Sequence, residues 1–340
     1  MRRSPTQGIE LADLVERTPF AAGPVVSGSR FERGVLGDGR ELVLKHLPAE
    51  GDWLTRFSGG LGRARALWDD GVLEALAAHV DHAVVAMLRE DDHDVVVMED
   101  VAVHLLPRGR RLSSDAVDGL LGGLGRLHRE WEGSDLSGLC SPADRHRIAA
   151  PAFHRDDTGP DPCPFRGFVL RGWEAFSAQV PDDVSSAVFA VLDDLDALGR
   201  QLEEVVPPTL LHGDAKLGNL GLRGEHLVAL DWGELTGTGP AEMDVTWFAA
   251  TSTYGGPGGG TWAVDAMPDD VFRAYETRSG RRLDPHALDL ACIGTLAQHG
   301  FLLAGVSALS PDSATGARAS QQLDWWVARV GRALETWSPT

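Results

Sequence analysis

Short runs in which apolar and polar residues alternate fill the first hundred positions, and this period of two predicts β-strands. Turn residues such as Gly, Ser and Asp separate the runs. The predicted strands occupy five stretches: 23–26, 30–36, 40–47, 82–90 and 94–100. One stretch, RARALWDDGVLEALA at 63–77, has a helical pattern instead. We therefore expect a small lobe built from an antiparallel sheet and one helix.

Helical spacing dominates the chain after residue 105. Apolar residues recur every three or four positions over 112–131, where Ser113 and Ser114 serve as capping residues. Comparable spacing marks four further stretches: 182–205, 268–277, 284–308 and 320–337. These stretches predict a second lobe made mainly of helices.

The change of pattern divides the chain into two parts. Gly and Pro predict irregular loops in the helical part at 151–165 and 254–262. The fold class that these patterns indicate is α+β, with a strand-rich lobe over 1–103 and a larger, mainly helical lobe over 104–340. A short link near 99–104 joins the two.

The composition supports a two-lobed chain in aqueous surroundings. The 340 residues are 43% hydrophobic, which is enough for a core in each lobe. The most apolar stretch, 288–309, is interrupted by Asp289, Gln298 and His299, so we expect a buried helix there and not a membrane span. The N-terminal residues lack the apolar run of a signal peptide, and we expect a cytoplasmic protein.

The net charge is −19, from 50 acidic and 31 basic side chains. Such a charge repels nucleic acid and anionic membranes at long range, so neither is expected as a partner. It suits a cationic small molecule, although acidity also serves solubility alone. The three cysteines, Cys140, Cys163 and Cys292, lie far apart without CxxC spacing, which argues against a zinc knot and a disulfide framework.

Residues 211–234, LHGDAKLGNLGLRGEHLVALDWGE, concentrate two carboxylates and an amide in one short segment. A short strand leads into a loop with Asp214, and the apolar runs on both sides of the turn RGE predict a hairpin. The hairpin places Asn219 and Asp231 at the open ends of its strands, close to Asp214. Oxygen ligands with few carboxylates suit Mg²⁺, which takes its other ligands from water and substrate phosphates.

The order and spacing of these residues resemble a known catalytic loop. The pattern H-x-D-x-K-x-x-N at 212–219, followed by Asp-Trp-Gly at 231–233, is similar to the catalytic loop and metal-binding turn of the aminoglycoside phosphotransferase and choline kinase family. That family consists of small-molecule kinases related to the protein kinases, whose catalytic loop is similar. The resemblance covers about 23–250 and implies a two-lobed, protein-kinase-like fold.

The resemblance implies Mg²⁺-dependent transfer of the γ-phosphate of ATP or GTP to a hydroxyl of a small molecule. Asp214 then corresponds to the general base for that hydroxyl, and Lys216 to a cation against the γ-phosphate. Asn219 and Asp231 correspond to the Mg²⁺ ligands. His212 corresponds to a residue that orients the loop through hydrogen bonds.

The small lobe is implied to hold the nucleotide. Lys45, on the third strand, resembles the kinase lysine that holds the α- and β-phosphates. The turn that would cover the phosphates departs from the G-x-G-x-x-G pattern and consists of Ser27, Gly28 and Ser29. The backbone of the link, at Glu99 and Val101, would hydrogen-bond the nucleotide base. A plain hairpin turn and a plain strand end are the alternatives.

One feature of the family is missing. The family pairs the strand lysine with a helix glutamate, but Gly62 and Arg63 stand near that place here, and neither Asp70 nor Glu74 fits it well. An inactive kinase-like module that binds nucleotide or regulates a partner is therefore kept as an alternative.

The acceptor is implied to bind in the helical lobe, where acidic side chains would meet an aminoglycoside, amino sugar or amino alcohol. Glu234 and Trp232, beside the metal turn, are the main candidates. Further acids and aromatic residues are Asp265, Asp269, Asp270, Trp247, Tyr254 and Trp262. The structural alternatives are helix starts for the acids and core positions for the aromatic residues.

Other enzyme classes fit less well. Asn219 is followed by Leu220 and not by the histidine of a two-metal phosphoesterase, and the sequence contains no P-loop motif. Only thirteen positions separate Asp231 from Asp244, too few for the activation segment of a protein kinase. Asp244 resembles the family acid that braces the catalytic loop, with a first-turn helix acid as the alternative.

Overall fold

The structure, a computed structural model, describes residues 8–20, 28–106, 112–134, 136–159, 161–253 and 266–337. Their strands are β1 (Leu14–Pro19), β2 (Arg30–Leu36), β3 (Glu41–His46), β4 (Val80–Asp81), β5 (Val84–Glu90), β6 (His93–Glu99), β7 (Thr209–Leu211), β8 (Leu220–Arg223), β9 (His226–Ala229) and β10 (Gly237–Gly239). Their helices are α1 (Trp53–Ser58), α2 (Arg63–Asp69), α3 (Val72–Leu76), α4 (Ser114–Glu130), α5 (Pro142–Arg147), α6 (Pro151–Asp156), α7 (Arg166–Gln179), α8 (Asp182–Asp193), α9 (Leu195–Glu204), α10 (Glu242–Ser252), α11 (Pro268–Ser279), α12 (Pro285–Leu309) and α13 (Ala314–Leu334). The predicted α+β class, with a small antiparallel sheet ahead of a larger helical part, is confirmed.

Five strands form the sheet of the first lobe in the order β1-β2-β3-β6-β5, with every neighbouring pair antiparallel. β3 lies in the middle, where Lys45 is opposite Phe31 on one side and Val96 on the other. Pairing on both edges holds the backbone of Lys45 in place. The strand predicted at 23–26 lies outside the described residues, and the neighbour of β2 is β1, which comes earlier in the chain.

The helical pattern at 63–77 forms two short helices, α2 and α3. Gly71 between them has a left-handed backbone with φ of +71°, which ends one helix before the next begins. α1 precedes them and is capped by Asp52, whose carboxylate accepts a hydrogen bond from the Thr55 N–H at 2.9 Å. The lobe therefore has three short helices where the sequence indicated one.

The second lobe contains the predicted helices, with local differences and with two further helices, α5 and α7, that the apolar spacing did not predict. α4 starts as expected, because the Ser113 hydroxyl accepts a hydrogen bond from the Ala116 N–H at 3.2 Å. The stretch 182–205 is divided into α8 and α9 at Asp194, which caps the second helix. α6 fills part of 151–165, where a loop was expected, since its proline sits in the first turn of the helix. The loop predicted at 254–262 lies outside the described residues.

α12 lies in the core of the second lobe, packed against α7, α10 and α13. Within the described residues it alone is long and apolar enough to cross a membrane, but 83% of its most apolar window is buried inside the protein. The predicted buried helix is confirmed. The three cysteines are also buried, with free thiols.

Candidate active site

The hairpin of β8 and β9 brings the two expected metal ligands together. Its turn contains Gly224, with φ of +64°, and its open end is closed by a hydrogen bond from the Leu230 N–H to the Asn219 carbonyl at 2.8 Å. Asp231 is the next residue after Leu230. The predicted hairpin therefore places Asn219 and Asp231 side by side.

Gly213 allows the loop to turn before Asp214. Its φ is +82°, and a Cβ at this position would lie 1.7 Å from the Leu235 carbonyl oxygen. Only glycine tolerates both the conformation and the close approach. The spacing between His212 and Asp214 thus depends on this residue.

Three donors hold the Asp214 carboxylate. Trp247 Nε1 donates to Oδ1 at 2.9 Å, while Lys216 Nζ and Asn219 Nδ2 donate to Oδ2 at 2.5 Å and 3.0 Å. The Asp214 side chain is 13% exposed. The carboxylate is therefore fixed in orientation and still reachable from solvent.

Lys216 places a cation directly beside that carboxylate, on the outer side of the loop. Burial works against the charged form of Lys216, but the attraction of Asp214 outweighs it and raises the pKa of the ammonium group. The side chain is nevertheless 42% exposed. A protonated amine thus stands beside Asp214 and is partly open to solvent.

Asp231 pairs with Lys45 across the two lobes. Lys45 Nζ donates to Asp231 Oδ1 at 2.5 Å, and the charge of Lys45 lowers the pKa of Asp231 to about 2. Burial disfavours the charged form of Lys45, but Asp231 and Glu234 outweigh it and raise the pKa of the amine. The strand lysine therefore finds its anion on the metal turn and not on a helix.

His212 supports the loop from inside. The ring is fully buried; Nε2 donates to the Leu230 carbonyl at 2.8 Å, and Nδ1 accepts from the Asp214 N–H at 3.2 Å. Trp232 packs on this ring with centroids 4.7 Å apart, and its indole donates to the Ala229 carbonyl. At 6% exposure, Trp232 lies beneath the loop and not at a wall of the acceptor pocket, where we had expected it.

Asp244 braces the same loop. Its Oδ2 accepts from the His212 N–H at 2.7 Å and its Oδ1 from the Gly213 N–H at 3.0 Å. Arg145 Nη1 lies 3.5 Å from Oδ1 and His128 Nε2 lies 3.4 Å from Oδ2, and all three side chains are buried. This network favours the bracing interpretation over that of a plain first-turn acid.

Arg63, at the start of α2, is one of the two residues near the place where the resemblance implies a helix glutamate. It is 6% exposed, and its guanidinium donates to the carbonyls of Glu234 and Ser58. The side chain of Glu234 is half-buried, and burial raises the pKa of its carboxyl group. The contact between α2 and the turn after β9 is therefore made by the Arg63 guanidinium and the Glu234 carbonyl oxygen, and not by an acidic side chain.

The turn expected to cover the phosphates is tied to α1. The Gly28 N–H donates to Asp52 Oδ2 at 3.0 Å, so one carboxylate caps the helix and holds the turn. Ser29 is 9% exposed, and Ser27 lies outside the described residues. The described part of the turn is thus anchored near the cleft by Asp52.

The link between the lobes packs against the hairpin. The Glu99 N–H donates to the Ala83 carbonyl at 2.9 Å, and Glu99 Oε2 lies 3.8 Å from Arg223. Val101 is 3% exposed and packs with Ala83 and Val228. The link therefore packs against both the residue before β5 and the β8–β9 hairpin.

The arrangement fits a hard divalent cation. Asn219 turns its amide nitrogen toward Asp214, which directs its oxygen away from that residue, and the Asp231 side chain is 45% exposed. A carboxylate oxygen and an amide oxygen are ligands that Mg²⁺ accepts while keeping several waters. These two side chains are the ones that would hold it.

The remaining acceptor candidates lie at different places in the fold. Trp247, an aromatic candidate for the acceptor pocket or the core, donates to Asp214. Asp269 and Asp270 belong to the start of α11, where they accept hydrogen bonds from the Trp325 indole and the Met267 N–H. Three other acceptor candidates lie outside the described residues: Tyr254, Trp262 and Asp265.

Comparisons with known proteins bear on the family and the fold of the chain. A model of the phosphotransferase enzyme family matches residues 19–288, whereas no curated protein sequence matches significantly. Choline kinase LicA from Streptococcus pneumoniae shares the fold with a TM-score of 0.53 and 13% identity, over 94% of this chain and 95% of its own.

Two aminoglycoside phosphotransferases show weaker likeness. One, from Alicyclobacillus acidocaldarius, has a TM-score of 0.47 and 14% identity over 98% of this chain and 96% of its own. Another, from Streptomyces rimosus and in complex with ADP and streptomycin, has a TM-score of 0.47 and 15% identity over 82% and 95%. The family match, which spans well over half of the chain, is decisive: the chain belongs to the phosphotransferase enzyme family and has the kinase-like fold of small-molecule kinases.

Proposed function

We propose that the protein transfers the γ-phosphate of ATP or GTP, with Mg²⁺, to a hydroxyl of a small acceptor such as an aminoglycoside, an amino sugar or an amino alcohol. The observation that best supports this proposal is the convergence of Asp214, Asn219 and Asp231 with two lysines, Lys45 and Lys216. An acid and an amide suit a metal-bound phosphate, and ammonium groups suit the charge of a phosphoryl group in transfer.

Asp214 is proposed as the general base. Its carboxylate is oriented by Trp247 and Asn219. An acceptor hydroxyl within hydrogen-bond reach of it would give up its proton to Asp214 as its oxygen bonds to the γ-phosphorus, while the bond from that phosphorus to the bridging oxygen breaks and the nucleoside diphosphate leaves. Lys216, beside it, would then contact the γ-phosphate. His212 would act only by holding the loop.

The nucleotide is proposed to lie between the lobes. Lys45 would exchange part of its contact with Asp231 for the α- and β-phosphates, and Asn219 and Asp231 would hold Mg²⁺, which neutralises phosphate charge when bound. The base would meet the backbone at Glu99 and Val101. The turn of Ser27, Gly28 and Ser29 would lie over the phosphates.

The chemistry of the acceptor follows from charge. The net charge of −19 and the half-buried acid Glu234 favour an acceptor that carries amino groups. We further propose a division into a nucleotide lobe at 1–103 and a catalytic lobe at 104–340. The protein is proposed to act in the cytoplasm, on small molecules and not on nucleic acid or membranes.

The test is ADP release from ATP, and separately from GTP, across a panel of aminoglycosides, amino sugars, neutral sugars and amino alcohols. Each reaction is run with MgCl₂ and with EDTA. We expect release that needs both an acceptor and Mg²⁺. Release that is equal without acceptor, or equal in EDTA, would contradict the proposal.

The second candidate is an inactive module that binds nucleotide, favoured by one observation: Arg63, near the place where the resemblance implies a helix glutamate, binds the Glu234 carbonyl. The two candidate functions predict different results in the acceptor panel. Mg²⁺-dependent nucleotide binding without turnover of any acceptor in the panel would support the module.

Replacing Asp231 with alanine is expected to abolish the Mg²⁺ dependence of nucleotide affinity. The variant loses a metal ligand and leaves Lys45 without its anion, so we expect the Kd of the Mg²⁺–nucleotide complex to rise by at least about tenfold. Titration calorimetry in MgCl₂ and in EDTA measures it. Glu225→Ala, at the exposed turn of the same hairpin, is the control, and equal affinity of the two variants in MgCl₂ would exclude Asp231 as a ligand.

Replacing Trp247 with phenylalanine is expected to lower kcat by about 10- to 100-fold. The change removes the donor to Asp214 Oδ1, and a hydrogen bond to a charged group contributes about 1.5–3 kcal/mol. Steady-state kinetics should show an effect on kcat larger than that on KM. Trp325→Phe removes a similar indole–aspartate bond at Asp269 and should leave kcat unchanged; similar losses in both variants would mean that the Trp247 bond is structural only.

A further inference from the structure

A second group of potential ligands lies on the opposite face of the N-lobe sheet from Lys45. Successive side chains of a strand point to opposite faces, so His46 on β3 points away from the cleft that Lys45 faces. Beside it stand His93 on β6 and Glu90 on β5, the next strands in the sheet. Three adjacent strands therefore supply two imidazoles and a carboxylate at one place.

Three atoms of this group form a compact triangle. His46 Nδ1 lies 3.0 Å from His93 Nε2 and 3.3 Å from Glu90 Oε2, and the latter two atoms are 3.8 Å apart. Ligands about 2.0–2.1 Å from a tetrahedral Zn²⁺ are about 3.3–3.4 Å from one another. The three distances between the ligand atoms range from 3.0 to 3.8 Å and so bracket that value. One ion can therefore reach all three atoms with small shifts.

The surroundings of His46 set the tautomer that a metal needs. Arg30 Nη2 lies 3.2 Å from Nδ1, and since a guanidinium only donates, Nδ1 carries a lone pair, which becomes available to an ion once Arg30 moves aside. Nε2 then carries the proton and faces Glu32 Oε2 at 3.4 Å. A carboxylate behind a ligating imidazole is the usual outer partner in protein zinc sites.

The triangle is accessible from solvent. His46 is 3% exposed, but His93 and Glu90 are 19% and 23% exposed. An open cavity of about 240 Å³ reaches both histidines and Arg30. Arg30 itself is 56% exposed, so it can swing outward and leave the fourth position to a water molecule.

We propose that His46, His93 and Glu90 form a binding site for a transition-metal ion of the Zn²⁺ class. Two imidazoles with one carboxylate suit Zn²⁺ or Co²⁺, whereas Mg²⁺ prefers oxygen ligands. Arg17, which binds Glu90 through both oxygens, leaves lone pairs on that carboxylate for the ion. The site is separate from Asn219 and Asp231, and it does not depend on the phosphotransfer reaction.

The test is calorimetric titration of the untagged full-length protein with ZnCl₂ in excess MgCl₂. We expect one equivalent of Zn²⁺ that persists in Asp231→Ala, because that variant removes only the other cation site. Binding should weaken by at least tenfold in His93→Ala and in Glu90→Gln. His286→Ala, which removes an exposed histidine of α12, should bind as the wild type does.

Co²⁺ gives a readout that needs no variant. Tetrahedral coordination by two histidines should produce visible absorption that Zn²⁺ quenches on addition. Circular dichroism establishes that the variants are folded.

The proposal fails if the wild type binds no Zn²⁺ in excess MgCl₂, if His93→Ala and Glu90→Gln bind as well as the wild type, or if Asp231→Ala alone loses the ion. In the first case the two histidines form only a hydrogen-bonded pair.

Discussion

Replacing Asp214 with asparagine is expected to lower kcat by about 10²- to 10⁴-fold, the usual contribution of a general base. The amide keeps the shape of the side chain and can still accept from Trp247, but it cannot take the proton of an acceptor hydroxyl. The groups proposed to bind nucleotide, Lys45 and Asp231, are left in place. We therefore expect nucleotide affinity to stay within a few-fold of the wild type, as measured by calorimetry beside steady-state turnover.

A matched control separates loss of the base from loss of an ion pair. Asp118→Asn breaks the pair of Asp118 with Arg278, as Asp214→Asn breaks the pair with Lys216, but it lies on α4. Its kcat should be that of the wild type. Normal turnover in Asp214→Asn would contradict the proposal that Asp214 is the base. If the variant lost nucleotide affinity as strongly as it lost turnover, a collapsed loop would explain the loss instead.

The geometry of residues 212–231 was predictable from the sequence because it is local. Asn219 and Asp231 stand on one hairpin whose turn is signalled by Gly224 and whose strands are signalled by apolar runs. The loop before them needs only a glycine and a short strand. Contacts set by neighbours within about twenty positions follow from turn and strand patterns.

The residues that hold the loop could not be predicted from local patterns, because their contacts join parts of the chain that are far apart in sequence. Trp247, on α10, contacts Asp214 33 positions earlier in the chain, and Arg63 contacts a carbonyl 171 positions away. Neither position carries a motif. A tryptophan between apolar residues predicts a core position equally well.

Helix boundaries also depended on single residues. Gly71 and Asp194 each interrupt a pattern that is periodic on both sides. The apolar spacing continues through the break because both short helices face the same core, so periodicity alone predicts one helix. The group of His46, His93 and Glu90 was not predicted from the sequence for a related reason. His46 and His93 are 47 positions apart and come together only through strand pairing.

Replacing Asp244 with alanine is expected to lower the free energy of unfolding by about 3–5 kcal/mol, the cost of leaving a buried charge without its partner. Arg145, 3% exposed, would keep its charge, and the N–H groups of His212 and Gly213 would lose their acceptor. Urea unfolding measures the change. Asp183→Ala removes an exposed first-turn acid of α8 and should cost only about 0.3–1 kcal/mol.

The stabilisation that the Asp244 carboxylate provides should decrease as the pH falls. Burial alone would raise the pKa of Asp244, but the hydrogen bond from His128 and the charge of Arg145 outweigh it and lower the pKa from 3.8 to about 2. A group whose pKa is lowered by folding stabilises the protein above its unfolded value and loses that contribution as pH falls through the folded value. The stability difference between the wild type and Asp244→Asn should therefore be constant above about pH 4 and shrink toward pH 2. A difference that grows on acidification, or an Asp244→Ala variant no less stable than Asp183→Ala, would leave Asp244 as an ordinary helix acid.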